Sequence, residues 1–308
     1  MILNISGAAQ AYLADLRRTQ QQINQASAEV SSGLRVQQPS DDPAAIPSIL
    51  ETQADIAANQ QIQSNLSSVT GELQTADSAL QTAVQAVESA NTIAMQAASG
   101  TTTPTEYAAL AQQVAGLQQT LVGIANTNYD GRYIFSGDQD TGPAYQLDSS
   151  QPDGVKQLIP SGPSTRVIVD ATGTAIAVAK TAQEIFDAQN PNGSDANGNV
   201  FAAINSLLTA LNNNDQAGVT KAASALQSAD TYLNQQLAFY GEAEDRISAA
   251  TGLAQKFQTQ QQSKLSNLRD ADIPSVALEL SQAQLDEQAA LSAQARIQQD
   301  RNLFSYLG

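Results

Sequence analysis

The chain has 308 residues, a formal net charge of −16 and 5% aromatic residues, with no Trp, Cys or His. The missing Cys and His exclude Ser–His–Asp triads, Cys–His nucleophiles and His- or thiolate-ligated zinc, and the acidity argues against sequence-independent binding to nucleic acid or an anionic membrane. No apolar run reaches the roughly 18–20 residues of a membrane span, residues 1–18 lack the basic and apolar regions of a cleaved secretion signal, and no cofactor is called for.

Residues 1–34 carry Ala9, Leu16, Ile23 and Val30 at seven-residue spacing, with Tyr12, Leu13 and Ala26 broadening the stripe. The other faces are Gln, Asn, Ser and Thr, so a helix here depends on a partner. Gly33 ends the pattern. The loop that follows holds Pro39, Asp41, Asp42 and Pro43. Asp42-Pro43 reads as N-cap and first residue of a new helix, but Pro47 lacks the N–H that would bond back to residue 43, so the start is Pro43 or Pro47.

The second helix, to about residue 98, organises the chain. Leu66, Leu73, Leu80, Val87 and Ala94 recur in sevens, and Val69, Ala76, Ala83, Ala90 and Ala97 form a second series offset by three. Such a seam requires other long helices against it. Thr103 and Glu106 have capping-box spacing and open a third helix to about Asn126, with Leu110, Val114, Leu117, Leu121 and Ile124 on its apolar face. A short loop between two long helices implies an antiparallel pair.

Residues 126–137 leave helical periodicity for a turn and short strand. Between 138 and 199 the chain is rich in Gly, Pro and Asp, and short alternating runs at 144–147, 155–159, 165–169 and 175–178 predict a small β-rich insert. Asp138, Asp140, Asp195 and Asn197 resemble fragments of calcium loops without the EF-hand register and read as turns. Helix returns at Val200 with Phe201, Ile204, Leu207, Leu208 and Leu211. From Val219 to about Arg269 a further seven-residue grid holds Leu226, Leu233, Tyr240, Ile247, Ala254 and Leu268, with Gln261 as its polar member. This makes it the natural partner of the seam at 66–97. After Asp272, an expected N-cap, a last helix carries Val276, Ala283, Ala290 and Ile297 in sevens, with Leu280 and Leu291 beside them.

The expected fold is mainly α: a long antiparallel helical rod with terminal coiled-coil helices and a small β-rich inserted domain. The boundaries are 1–46 plus 270–308 for the terminal coiled coil, 47–137 plus 200–269 for the rod and 138–199 for the insert. An enzyme is disfavoured because no paired-carboxylate site emerges from the spacing. A carbohydrate-binding insert is disfavoured because Tyr145 is the lone aromatic in its runs.

Several stretches together resemble the flagellin superfamily, and within it the hook-associated protein type 3 class. Ser31–Val36 with Pro39–Ala44 is similar to the loop joining the first two helices of that superfamily, and Asp77–Leu80 with Ala94–Gly100 to its second helix. Ala125–Thr127 with Gly131–Gly137 resembles the junction class more than filament flagellin, which is the alternative. Asp272–Ser281 and Leu303–Leu307 resemble the last helix and terminus. The resemblance covers roughly residues 1–138 and 200–308.

It implies a secreted, extracellular structural subunit at the hook–filament junction of the bacterial flagellum. Such a subunit is exported unfolded through the flagellar type III apparatus, escorted by a cytoplasmic chaperone. It then self-associates as a ring between the hook-side junction protein (hook-associated protein type 1) and flagellin. On that reading the terminal helices order each other and adjacent copies. The expected assembly contacts are Leu13, Leu16, Ile23, Val30, Val276, Leu280, Leu291, Ile297, Leu303, Phe304, Tyr306 and Leu307.

Overall fold

The structure, a computed structural model, describes residues 3–159 and 164–306, with side chains described for 10–159 and 164–296. It is mainly helical with an inserted region of short strands. The helices are α1 (Leu3–Ser32), α2 (Ile46–Ala97), α3 (Pro104–Ala125), α4 (Ala182–Phe186), α5 (Val200–Asn212), α6 (Gln216–Arg269) and α7 (Ile273–Tyr306). The chain divides into two compact units, 1–58 plus 258–308 and 59–257.

In the second unit the heptad series acts as the spacing requires. Leu66, Leu73, Leu80, Val87 and Ala94 are buried, as are Ala76, Ala83, Ala90 and Ala97, while Val69 is only half-buried. On α6, Leu226, Leu233, Tyr240, Ile247 and Ala254 join the same core. A small-residue series, Ala222, Ala229, Ala243 and Ala250, runs beside them. The two helices lie antiparallel. Asn59 Nδ2 on α2 donates to the Ala254 carbonyl on α6 (2.8 Å), and at the other end Gln216 Nε2 donates to the Ala98 carbonyl (3.0 Å). Alanines let the backbones approach, and each buried Leu contributes on the order of 1.5–3 kcal/mol.

The α2–α3 turn is closed by Tyr107, whose hydroxyl donates to the Ala97 carbonyl (3.0 Å). The capping box is formed: Thr103 Oγ1 accepts from the Glu106 N–H, and the Glu106 carboxylate accepts from the Thr103 N–H (2.6 Å). After α3 the chain makes a hairpin of β1 (Asn128–Tyr129) and β2 (Arg132–Tyr133) around Asp130 and Gly131, both at positive φ (50° and 80°). That is the two-residue turn in which Asp-Gly is favoured. Tyr129 lies over Gly71 of α2, where any Cβ would collide with its hydroxyl.

The insert holds two further antiparallel hairpins, β3 (Tyr145–Leu147) with β4 (Val155–Gln157) and β5 (Val167–Val169) with β6 (Ala175–Ala177). The four alternating runs are thus strands, shorter than predicted at their ends. Of the calcium-like fragments, Asp138 accepts from the Thr165 N–H and hydroxyl, and Asp195 Oδ1 accepts from Asn199 Nδ2 (3.0 Å). Among the described residues no group of three or more acidic side chains is placed to hold a metal ion. Helix α4 is absent from the sequence reading, although Thr181 and Glu184 form a second capping box around its start.

The insert is not an appendage with a separate core. Phe135, Tyr145, Phe186, Phe201 and Tyr240 are buried together, linked by ring contacts of 5.1–6.2 Å. Within this cluster Asp187, 3% exposed, accepts from the Tyr145 hydroxyl and from Asn199 Nδ2 (2.8 Å each). Burial pushes its carboxyl up, against those two bonds. Glu72 of α2 is likewise buried, and its carboxylate accepts from both terminal guanidinium nitrogens of Arg166.

In the first unit α2 begins at neither proline. Residues 43–45 form an isolated turn, and helix starts at Ile46 with Pro47 in its first turn. The Ala45 N–H donates to the Asp42 carbonyl (3.1 Å), and Ile49 opens the helical ladder by donating to Ala45 (3.0 Å). Pro47 explains this: it removes the bond back to residue 43, so the turn set by Asp42-Pro43 cannot run on into the helix.

Candidate functional site

With no catalytic constellation in the sequence, the candidate site is the pair of terminal helices. Both belong to the first unit. They run antiparallel: the Tyr12 hydroxyl on α1 donates to the Ala290 carbonyl on α7 (3.1 Å), and a β-bridge joins Leu34 to Asp270 at the other end. Asp272 stands at the N-cap position, its carbonyl accepting from the Val276 N–H (2.9 Å).

The loop after α1 is clasped to the α6–α7 joint. The Arg35 and Val36 N–H groups both donate to the Arg269 carbonyl (2.8 and 3.1 Å), and the Ala271 N–H donates to the Gly33 carbonyl (2.9 Å). Gly33 sits at φ 74°, the left-handed turn that closes a helix and suits glycine. Arg35 then spans the joint, donating to the Leu268 carbonyl (2.7 Å) and pairing with Asp42 (2.9 Å). Asp41 accepts from the Gln37 and Gln38 N–H groups (2.9 Å each). These backbone donors hold the Asp41 carboxyl below the usual carboxylate range, and Arg35 does the same for Asp42. The two aspartates are therefore loop fasteners.

Of the predicted contact residues, Leu16, Ile23 and Val30 are half-buried on α1, alongside buried Ala26. On α7 Val276 is buried and Leu280 half-buried, and the grid continues inward through buried Ala283 and half-buried Ala290. Leu13 and Leu291 stand exposed, at 49% and 50%. The side chains of Ile297, Leu303, Phe304, Tyr306 and Leu307 lie outside the described residues.

Two residues were missed. Leu278 and Leu285 are 74% and 60% exposed. They are seven apart, and each lies two residues beyond Val276 or Ala283, about 200° around the helix. Helix α7 therefore carries two exposed leucines on the side away from the stripe that packs on α1. The available signal was a pair of leucines seven apart, offset by two from the first series.

Comparisons with known proteins agree with this architecture. Residues 3–140 match the bacterial flagellin N-terminal helical region. Flagellar hook-associated protein 3 of Salmonella typhimurium is 28% identical over 279 residues, 86% of each chain. Among solved structures, a putative flagellar hook-associated protein from Vibrio parahaemolyticus superposes with a TM-score of 0.64 at 20% identity, over 75% of this chain and 100% of that one. The flagellar junction protein FlgL from Legionella pneumophila gives 0.57 at 14% identity, over 72% and 99%. At such identities these two establish the fold alone. Along most of its length the chain is thus similar to the flagellin-like hook-associated proteins, and among them to the type 3 class.

Proposed function

We propose that this chain is a structural, non-enzymatic subunit of the bacterial flagellum, outside the cell, at the junction of hook and filament. The observation that carries this is the likeness to a flagellar hook-associated protein 3 along 86% of both chains. The finer reading is a ring of copies between the hook-side junction protein and flagellin. It is supported by the open face of α7: exposed Leu278 and Leu285 give this helix a surface that α1 does not cover. The same helix offers an export chaperone an apolar strip before secretion. Passage through the flagellar type III apparatus as an unfolded chain accords with the absence of Cys, which leaves no disulfide to form before export.

A deletion strain tests the reading. The expected phenotype is hooks without filaments, with monomeric flagellin in the medium, restored by the intact gene. Normal filaments in the deletion strain refute it. A truncation lacking Leu303–Gly308 should fail to restore filaments while its rod unfolds at the wild-type temperature; a truncation that restores them removes the tail from the assembly surface.

A further inference from the structure

The seven-residue series of α2 does not begin at Leu66. Counting back in sevens gives Asn59 and Thr52, and both are sealed from solvent, at 4% and 0% exposure. From Leu66 onward every member is apolar; these two are not. Thr52 turns its hydroxyl onto the Ser48 carbonyl of its own helix (2.7 Å). Asn59 Nδ2 donates to the Ala254 carbonyl of α6 (2.8 Å), but its Oδ1 is buried with no hydrogen-bond partner. A half-satisfied amide holds a seam less tightly than a leucine does. On α6 the grid past Ala254 likewise passes through Gln261, whose Oε1 is buried without a partner.

A second observation coincides with this one. The division into two compact units falls between residues 58 and 59 and between 257 and 258. Both points lie inside uninterrupted helices, α2 and α6. No loop, Gly or Pro marks them. What changes there is the chemistry of the seam.

We propose that Asn59 is a built-in breakpoint. It fixes the pairing of α2 with α6 through one directed bond to Ala254, as a single buried Asn fixes register in a coiled coil. It also ends the cooperative apolar seam, so residues 46–58 and 258–269 open and re-form locally while the helices on the far side of Asn59 stay closed. The device needs no break in helix geometry: both helices remain continuous, and only their local stability steps down.

Amide hydrogen exchange of the full chain, read by mass spectrometry, tests this. In the wild type, exchange is expected to be at least tenfold slower in 60–97 than in 46–58, and at least tenfold slower in 216–254 than in 258–269. N59L is expected to move the step by a heptad, slowing residues 52–58 at least tenfold and raising the thermal midpoint followed by circular dichroism. Uniform protection along α2 in the wild type overturns the proposal, and that measurement needs no variant. An N59L chain whose step stays at 59, or which melts lower or fails to fold, also overturns it, because a leucine on this grid is expected to seat as Leu66 does.

Discussion

Replacing Arg166 with Ala tests how the insert is fixed to the helices. The Glu72 side chain is 7% exposed, and its carboxylate takes two hydrogen bonds from Arg166, whose own side chain is 20% exposed. Removing one partner of a buried pair costs about 3–5 kcal/mol, because the other charge is left desolvated. Arg132 remains 3.8 Å from Glu72 on a side chain 51% exposed, so R166A belongs at the low end, about 3 kcal/mol. For a unit of this size that lowers the melting temperature by about 6–12 °C. E72Q/R166A should recover more than half of the loss, since a neutral amide carries no charge to strand. Urea unfolding followed by circular dichroism and tyrosine fluorescence gives all three values. A loss below about 1 kcal/mol in R166A, the level of a surface pair, refutes the reasoning, as does a double variant no more stable than R166A.

Four other outcomes are expected. L80A, at a fully buried seam position, should lose about 2–5 kcal/mol by chemical denaturation. G71A should lose about 1–3 kcal/mol because its methyl meets the Tyr129 hydroxyl, and Y129F in that background should restore part of it. The loop clasp is acid-sensitive. Asp41 and Asp42 are held below the usual carboxylate range in the fold, so their contribution is present above pH about 4 and fades as pH falls through their lowered values. The Gln37 and Gln38 amide resonances should titrate there by NMR, and D41N should abolish that titration. L278S/L285S alters side chains that are 74% and 60% exposed, so the monomer's stability should change by less than about 0.5 kcal/mol per site. The same variant should fail to restore filaments to a deletion strain.

What the sequence showed was whatever repeats at short range. The Leu and Ala series of α2 and the Leu226–Ala254 grid of α6 were legible because a buried stripe on a helix must recur with the helical period. The four strand runs were legible because a half-buried strand alternates. The aromatic cluster was not: Phe135 comes from the turn after β2, Tyr145, Phe186, Phe201 and Tyr240 come from four separate elements, and the five share no spacing. Nor was the Arg166–Glu72 pair, whose members stand 94 residues apart. Helix α4 was legible and overlooked, since Thr181 and Glu184 announce it. The start of α2 stayed open between Pro43 and Pro47 because Asp42-Pro43 does set a turn, and Pro47 stops that turn from running on into the helix. On α7 the inward grid drew attention from the outward one, although Leu278 and Leu285 keep the same period.

The two units differ in what holds them. Residues 59–257 bury long Leu, Ile and aromatic side chains in one continuous cluster. In the other unit the buried apolar residues among those described are Ala26, Val36, Ile49, Val276 and Ala283. Three of these are larger than Ala, which removes little apolar surface per helical turn at about 25 cal/mol per Å². Against this, ordering each residue costs on the order of 1–2 kcal/mol of backbone entropy. The balance shifts once the exposed leucines of α7 also leave water. On the function proposed above, this thin helical pair is expected to gain stability on contact with a further molecule. The clasp of Arg35 and the Gly33 turn onto residues 268–271 then acquires a specific role. It holds α1 and α7 in antiparallel pairing, so that the face presented is already set before that contact forms.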